Sequence, residues 1–318
     1  MIPDRARRVS SYGSPRLQTC GSDYYCEERL IIPRRDTSVL LEHHEVGLRA
    51  LLTMPQLMAI EANLGTVLVT GGNGFLGSHI IKCLLASNYA TTVISVSRNP
   101  KRDSSSVDPR VEHHALDMTS SSSIHALFKT FKPTVVIHTA SPPPRSHASI
   151  LEATNVRGTS VLLQAAQFCP ETQVFVYTSS DSACHSSPYQ QITETQCTLY
   201  TPSDAPNHYA RTKGLADAAV LAANAPDLRT ATLRIPSIYG EGDTNFVPQI
   251  VESIRKNQWK NQIGPNDKIF EFVYVESAAE AHALATRTLL AGRPGVDGQA
   301  YFITDGVSQP FFDFMRKC

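Results

Sequence analysis

Between Val69 and Gly77 the chain reads V-T-G-G-N-G-F-L-G, and this short run limits the fold more than any other part of the sequence. Gly71, Gly74 and Gly77 carry the spacing G-x-x-G-x-x-G, between the β-branched run TVLVT (66–70) and a helical pattern opening at Phe75. The first glycine allows a tight turn, the second lets backbone approach a pyrophosphate, and the third lets the helix lie close to the strand. The N–H groups that open such a helix have no intrahelical partner and carry a partial positive charge, which suits phosphate. A strand before and a helix after make a common glycine pattern into a dinucleotide-binding expectation. Phe75 and Leu76 join the three glycines at that site.

The runs TVISVS (92–97), TVVIHTA (134–140), QVFVYTSS (173–180) and TATLRI (230–235) are likewise apolar or β-branched throughout, as strands buried on both faces require. Helical patterns separate them, among them SSSIHALFKTF and HYARTKGLADAAVLAANA. The expected fold class is therefore α/β: a doubly wound, mostly parallel Rossmann-type sheet with a smaller C-terminal substrate lobe. Residues 65–236 are expected to form the NAD(P)-binding domain. Residues 237–318 are expected to form the substrate-binding lobe, which returns once to the sheet. Residues 1–64 mix arginine, serine and glycine without periodicity and are expected to be a disordered extension. Asp4, Asp23, Glu27 and Glu28 argue against a targeting peptide there, and Met54 or Met58 offers a later start.

A length of 318 residues with 42% apolar content suffices for a large core. Lysine plus arginine equals aspartate plus glutamate at 29 each, so no global field draws nucleic acid or an anionic membrane. The cysteines at positions 20, 26, 83, 169, 184, 197 and 318 include no C-x-x-C pair, so neither a zinc site nor a disulfide framework is expected. The pairs His43-His44 and His113-His114 would point to opposite faces of a strand and suggest no metal site either. No N-glycosylation sequon occurs, which fits a reducing intracellular setting. No apolar stretch reaches the roughly 20 residues that span a bilayer.

The end of the second strand discriminates between dinucleotides. A carboxylate there holds a ribose 2′-hydroxyl, whereas an arginine accommodates a 2′-phosphate. The sequence S-V-S-R-N-P-K-R has no carboxylate and offers Ser97 and Arg98, with Lys101 and Arg102 nearby. NADP(H) is favoured and NAD(H) stays open. Asp117, at the end of HHALD, is placed either to meet the adenine amino group or to cap the next helix. The run from Ser120 to Ser123 reads as turn and N-cap.

Tyr209 and Lys213, in Y-A-R-T-K, lie four residues apart on a predicted helix and share a face. A free phenol titrates near pH 10. A neighbouring ammonium and a positive nicotinamide ring would lower that value, making Tyr209 a base toward an alcohol, or an acid in reduction. The strand end V-Y-T-S-S-D supplies Ser180 to hydrogen-bond the substrate oxygen, with Ser179 as the alternative if the register slips by one.

Together TGGNGFLG, HTAS (138–141), NVRGT (155–159), YTSS, YARTK and LRIPSIYGEGD resemble the extended short-chain dehydrogenase/reductase family. The segment QIGPNDKIFEFVYVESAAEAHALA (262–285) is similar to the 3β-hydroxysteroid dehydrogenase branch, and within it to sterol-4α-carboxylate 3-dehydrogenases and their fungal relatives. The resemblance implies catalytic roles for Ser180, Tyr209 and Lys213, a supporting role for Asn155, and cofactor contacts from Ala140 and Ser141. It implies oxidation of a 3β-hydroxyl on a sterol or steroid-like lipid, with loss of a 4α-carboxylate where one is present. It also implies an intracellular enzyme, cytoplasmic or peripheral on the endoplasmic reticulum, without nucleic-acid partners; a homodimer is admissible. An NADPH-dependent ketone or aldehyde reductase of secondary metabolism, or an inactive dinucleotide-binding protein, are the alternatives. The family's arginine-proline pair here reads Arg234-Ile235, with the proline at Pro236. Family members run on past the position of Cys318, so the lobe is expected to be truncated.

Overall fold

The structure, a computed structural model, describes residues 63–100, 108–187, 189–258 and 260–317. The expectations on the N-terminal extension, His43-His44, Lys101, Arg102 and Cys318 lie outside these residues.

The strands are β1 (Thr66–Thr70), β2 (Thr92–Ser97), β3 (Val111–Ala115), β4 (Val135–His138), β5 (Val174–Ser180) and β6 (Arg229–Ile235), then β7 (Ser237–Tyr239), β8 (Ile269–Phe270), β9 (Phe272–Tyr274), β10 (Gln299–Phe302) and β11 (Gln309–Pro310). Seven of them form one parallel sheet in the order β10-β6-β5-β4-β1-β2-β3. The chain winds outward from β1 in one direction and from β4 in the other, as expected of a doubly wound sheet. The switch between β1 and β4 opens the crevice in which such sheets bind ligands.

The helices are α1 (Phe75–Ala86), α2 (Ser121–Phe131), α3, α4 (His208–Ala222), α5 (Phe246–Arg255), α6 (Val275–Leu290) and α7 (Phe311–Met315). Here α3 denotes the continuous run Ala148–Leu151, Glu152–Gly158 and Thr159–Gln167, whose middle segment is wound as a π-helix. The strands alternate their apolar side chains between two layers. Val174 and Val176 of β5 join the core shared with α1 and α6, while Phe175 and Tyr177 join the core shared with α2, α3 and α4. Ser120 caps α2 by accepting from Ser123 N, as its position suggested.

Residues after Ile235 divide their contribution. Helix α6 packs on α1 and β10 extends the main sheet beside β6. Between and after them, β7 pairs with β9 and β8 with β11, around a small aromatic core where Phe272 stacks on Phe314 at 3.7 Å.

One expectation is corrected. Cys184 and Cys197 are joined in a disulfide, their Cα atoms 5.9 Å apart. Spacing alone hid the pair, because the sulfurs meet through a fold-back in which Cys184 bridges Leu199 and Tyr200 N–H donates to Ala183. Among the described residues no group of three His, Cys, Asp or Glu side chains is placed to hold a metal. No described helix is long and apolar enough to cross a membrane.

Among the described residues two histidines are fully buried, His138 at the end of β4 and His282 in α6. Burial pushes His138 down to about 3, helped by the Lys213 charge, and His282 down to about 4. Both are neutral in the folded protein at pH 5, whereas the unfolded chain takes up their protons from about pH 6.5 downward. Stability is therefore complete above that pH and is lost as pH falls toward 4. Chemical denaturation at pH 5 is expected to give a stability about 2–4 kcal/mol below that at pH 7, from up to about 1.4 kcal/mol per pH unit for each histidine. An unchanged value would contradict the neutral assignment.

Candidate active site

The turn after β1 forms the floor of the crevice. Gly71 has φ +71°, and a Cβ there would stand 2.8 Å from Thr139 Oγ1 and 3.0 Å from Ala140 N. A Cβ on Gly77 would lie 2.3 Å from the Gly71 carbonyl oxygen. Glycine at both positions is thus a packing requirement: the turn, α1 and the loop after β4 touch backbone to backbone. Helix α1 opens at Gly74 with no side-chain cap and no acidic residue in its first turn, which leaves its N–H groups for an anion. Asn73 Oδ1, beside them, is buried without a hydrogen-bond partner. These features fit a dinucleotide's pyrophosphate.

Ser97 Oγ accepts from Asn73 N at 3.1 Å and keeps its own proton for a ligand. Arg98 follows at once, exposed at the mouth of the crevice. Asp117 is also exposed, and its Oδ1 accepts from Thr119 N and Oγ1 at 2.9 and 2.8 Å. Those bonds, with a smaller contribution from Arg98, hold its carboxyl below the usual range. One oxygen of Asp117 therefore serves its own turn.

A chain of bonds of determined direction joins the end of β1 to α4. Thr159 Oγ1 donates to the Asn155 carbonyl at 2.6 Å, so it must accept from His138 Nε2–H, 2.9 Å away. His138 Nδ1 then accepts from Thr70 Oγ1 at 2.6 Å, and Thr70 Oγ1 accepts from Ala140 N at 3.2 Å. Asn155, buried in the π-wound part of α3, accepts from Ser141 Oγ at 3.0 Å and donates to Thr212 Oγ1 on α4 at 3.1 Å. Ala140, Ser141 and Asn155 are thereby brought together beside α4.

Helix α4 starts at Asn207, whose side chain accepts from Ala210 N. Tyr209 follows in its first turn, half-buried, with its hydroxyl close to Ser180 at the end of β5. Lys213, one turn further, is 2% exposed and donates to the Thr178 carbonyl at 2.8 Å and to the Tyr177 hydroxyl at 3.3 Å. Thr178 in turn is held through its side chain by His282 Nε2 at 2.8 Å.

The electrostatics differ from the sequence expectation. Burial pushes the Tyr209 phenol up to about 12, with the Ser180 bond lowering it and the Asp181 charge raising it. Burial brings Lys213 down to about 7 against the raising influence of Asp217. Lys213 gives its protons to β5 rather than to Tyr209, so in the protein alone desolvation outweighs the expected ammonium effect.

Ser179 and Ser180 are distinguished in their bonding by Asp217, which lies in α4 and is fully buried. Ser179 Oγ donates to Asp217 Oδ2 at 2.6 Å, and Arg234 grips both carboxylate oxygens at 3.0 and 3.1 Å. Ser179 is thus committed to the core, and Ser180 is the serine that meets Tyr209. Sequence reasoning missed Tyr177, Thr178, His138 and Asp217. Only Asp217 left a signal, its i+4 spacing from Lys213 on a helix beside a strand with arginine next to its last residue.

A parallel sheet whose order switches between β1 and β4, an uncapped glycine-flanked helix start, and a serine at the end of β5 beside a tyrosine of α4 define a Rossmann-type oxidoreductase of the extended short-chain kind. The model of the 3-beta hydroxysteroid dehydrogenase/isomerase family matches residues 68–318, and the chain belongs to that family. It is 46% identical over 204 residues to the decarboxylating sterol-4-alpha-carboxylate 3-dehydrogenase of Gibberella zeae, covering 63% of this chain and 67% of that protein. It is 35% identical to the Schizosaccharomyces pombe protein of the same name, over 80% of this chain and 73% of that one. Human short-chain dehydrogenase/reductase family 42E member 1 is 32% identical over 79% of this chain and 66% of that protein. The fold matches that of Thermus thermophilus UDP-glucose 4-epimerase in complex with NAD, with TM-score 0.63 and 23% identity over 79% of this chain and 81% of that one.

Replacing Asp217 by alanine strands the Arg234 guanidinium in the core and is expected to cost about 3–5 kcal/mol, read from denaturation midpoints. A D217A/R234M double variant should recover much of that loss, because no unpaired charge remains. A loss below about 1 kcal/mol for the single variant would show the pair to be dispensable.

Proposed function

We propose that the chain oxidises the 3β-hydroxyl of a 4α-carboxysterol and that carbon dioxide leaves from the product. The observation that carries this reading is the meeting of Ser180 and Tyr209 over the crevice, within a stretch that matches the 3-beta hydroxysteroid dehydrogenase model. The names of the Gibberella and Schizosaccharomyces relatives support the substrate class. Bound NAD(P) would supply the hydride acceptor. Gly71, Gly74, Phe75, Leu76 and Gly77 would hold its pyrophosphate side, Ser97, Arg98 and Asp117 its adenosine side, and Ala140, Ser141, Tyr209 and Lys213 its nicotinamide side. Ser97 and Arg98 favour NADP(H), because a guanidinium matches phosphate oxygens in a bidentate fork.

In this reading Tyr209 takes the hydroxyl proton, Ser180 hydrogen-bonds the same oxygen, and Lys213 would hydrogen-bond a cofactor hydroxyl. Asn155 holds α4 against the loop after β4. The new 3-ketone makes the substrate a β-keto acid. Its C4–carboxylate bond then breaks, the electron pair passing into the carbonyl as an enolate that is later protonated at carbon. The protein need supply only support for the developing oxyanion. We assign residues 237–318 to the substrate side, apart from the parts that return to the sheet.

Replacing Tyr209 by phenylalanine is expected to cut turnover of a 4α-carboxysterol by about 100-fold or more while the cofactor dissociation constant stays within a few-fold. Near-normal turnover would overturn the assignment of the base. Arg98→Ala is expected to weaken NADP(H) about tenfold and NAD(H) little, as measured by fluorescence titration. Turnover of small ketones but of no sterol in a substrate panel would replace the sterol reading with a reductase.

A further inference from the structure

The Cys184–Cys197 disulfide takes no part in the chemistry above, yet it lies on the chain between Ser180 and Tyr209. It closes a loop whose base is a narrow fold-back. There His185 N–H donates to the Thr198 carbonyl at 2.8 Å and Tyr200 N–H to the Ala183 carbonyl at 2.9 Å. The base is pressed on α4: a Cβ at Gly214, the residue after Lys213, would lie 2.8 Å from the Tyr200 carbonyl oxygen and 3.3 Å from that of Ala183. Beyond the base the loop reaches outward with two side chains. Gln191 Nε2 donates to Glu271 Oε1 at 2.7 Å and to Ser308, which itself donates to Glu271. Glu194 Oε1 accepts from Phe302 N, at the end of β10, at 2.9 Å. Glu271 lies between β8 and β9 and Ser308 just before β11, both on the substrate side.

We propose that this disulfide is a reducible clasp. Closed, it holds the loop so that Gln191 and Glu194 fix the substrate lobe and β10 against the catalytic strand and helix. Opened by a dithiol, it releases the lobe. The proposal rests on the reading that residues 237–318 face the sterol, and it adds a redox control to that side of the site. A cross-link between residues 13 apart removes many of the conformations open to the chain between them. Without it the base leans on its two backbone bonds and on His185, whose Nε2 lies 3.1 Å from Asp204 Oδ2. The Gln191 contacts are exposed, and bonds that water can replace are the first to open.

The two sulfurs differ in access. Cys184 is 1% exposed and Cys197 is half-buried, so an incoming thiolate meets the Cys197 sulfur. Its electron pair forms a bond to Cys197 Sγ as the Cys184–Cys197 bond breaks, and Cys184 leaves as a thiolate that takes up a proton. The second thiol of the dithiol then displaces Cys197, which takes up the other proton. Two electrons and two protons pass to the protein, and the dithiol is oxidised to its own disulfide. A bond that serves stability alone is the rival.

Dithiothreitol without denaturant is the probe, and alkylation with peptide mapping reads the bond. Cys184 and Cys197 are expected to resist alkylation in the oxidised protein and to be labelled together after treatment. Amide exchange in residues 189–196 and 302–309 is then expected to rise about tenfold or more, while β1 and α1 stay as they were. KM for a 4α-carboxysterol rises about fivefold or more, with the cofactor dissociation constant within about twofold. C197S reproduces the reduced state and no longer responds to dithiothreitol. Q191A keeps the disulfide and raises the sterol KM in the same direction. Free thiols at both positions before treatment, a bond that dithiothreitol leaves intact, or unchanged exchange once it is open overturns the clasp. So does an unchanged sterol KM, or a dithiothreitol response that persists in C197S. An enzyme that turns over no sterol in either state overturns the substrate reading instead, and the exchange comparison, which needs no substrate, still decides the clasp.

Discussion

The buried pair of Asp217 and Arg234 governs how this site is assembled. Asp217 projects from α4 and Arg234 from the end of β6, and between them the carboxylate also takes a proton from Ser179 and one from Thr232. Two charges so deep in the protein are tolerable only when they are well paired; here both Asp217 oxygens accept from Arg234 and each takes a further hydroxyl proton. The consequence is geometric. With Ser179 tied into the core by this network, the next residue along β5 is the serine at the crevice, and α4 is held so that Tyr209 reaches it. The network also sets the surroundings of Lys213, one helical turn before Asp217, whose ammonium Asp217 favours while burial opposes it.

Around that anchor the molecule uses neutral hydrogen-bond chains for alignment. His138 links Thr70 at the end of β1 to Thr159 in α3, and through Asn155 to Thr212 of α4. His282 links α6 to Thr178, whose carbonyl holds Lys213. Each imidazole is uncharged because it is dry, and each has both nitrogens matched. Such chains tolerate little displacement, since a buried donor or acceptor left without a partner loses its full desolvation energy. Asn155 lies in the π-wound part of α3, and its carbonyl accepts the Thr159 hydroxyl.

Much of this was legible in the residues. The uninterrupted β-branched runs announced buried parallel strands, and the glycine turn between the first of them and a helix announced the crevice. Ser180, Tyr209, Lys213 and Asn155 could be named from local motifs because those motifs sit at strand ends and helix starts, where backbone geometry aims side chains at one place. Other features left little trace. The disulfide between Cys184 and Cys197 depends on a fold-back with no periodic signature. The partners of His138 and His282 lie as far as 68 and 104 residues away in sequence. The lone tyrosine of β5, Tyr177, reads as an ordinary core residue until Lys213 is found against its hydroxyl.

The order of hydrophobic runs, the glycine spacing and the i+4 relation of Tyr209 to Lys213 settled the architecture and the chemical type of the site, because these depend on periodicity and on backbone conformation near each residue. Tertiary structure decided the rest: which of two adjacent serines faces the crevice, where the lysine places its protons, and how burial weighs against charge in setting the tyrosine. Those outcomes turn on desolvation and on partners brought from distant strands and helices. Neither exists until the sheet has closed and water has left it.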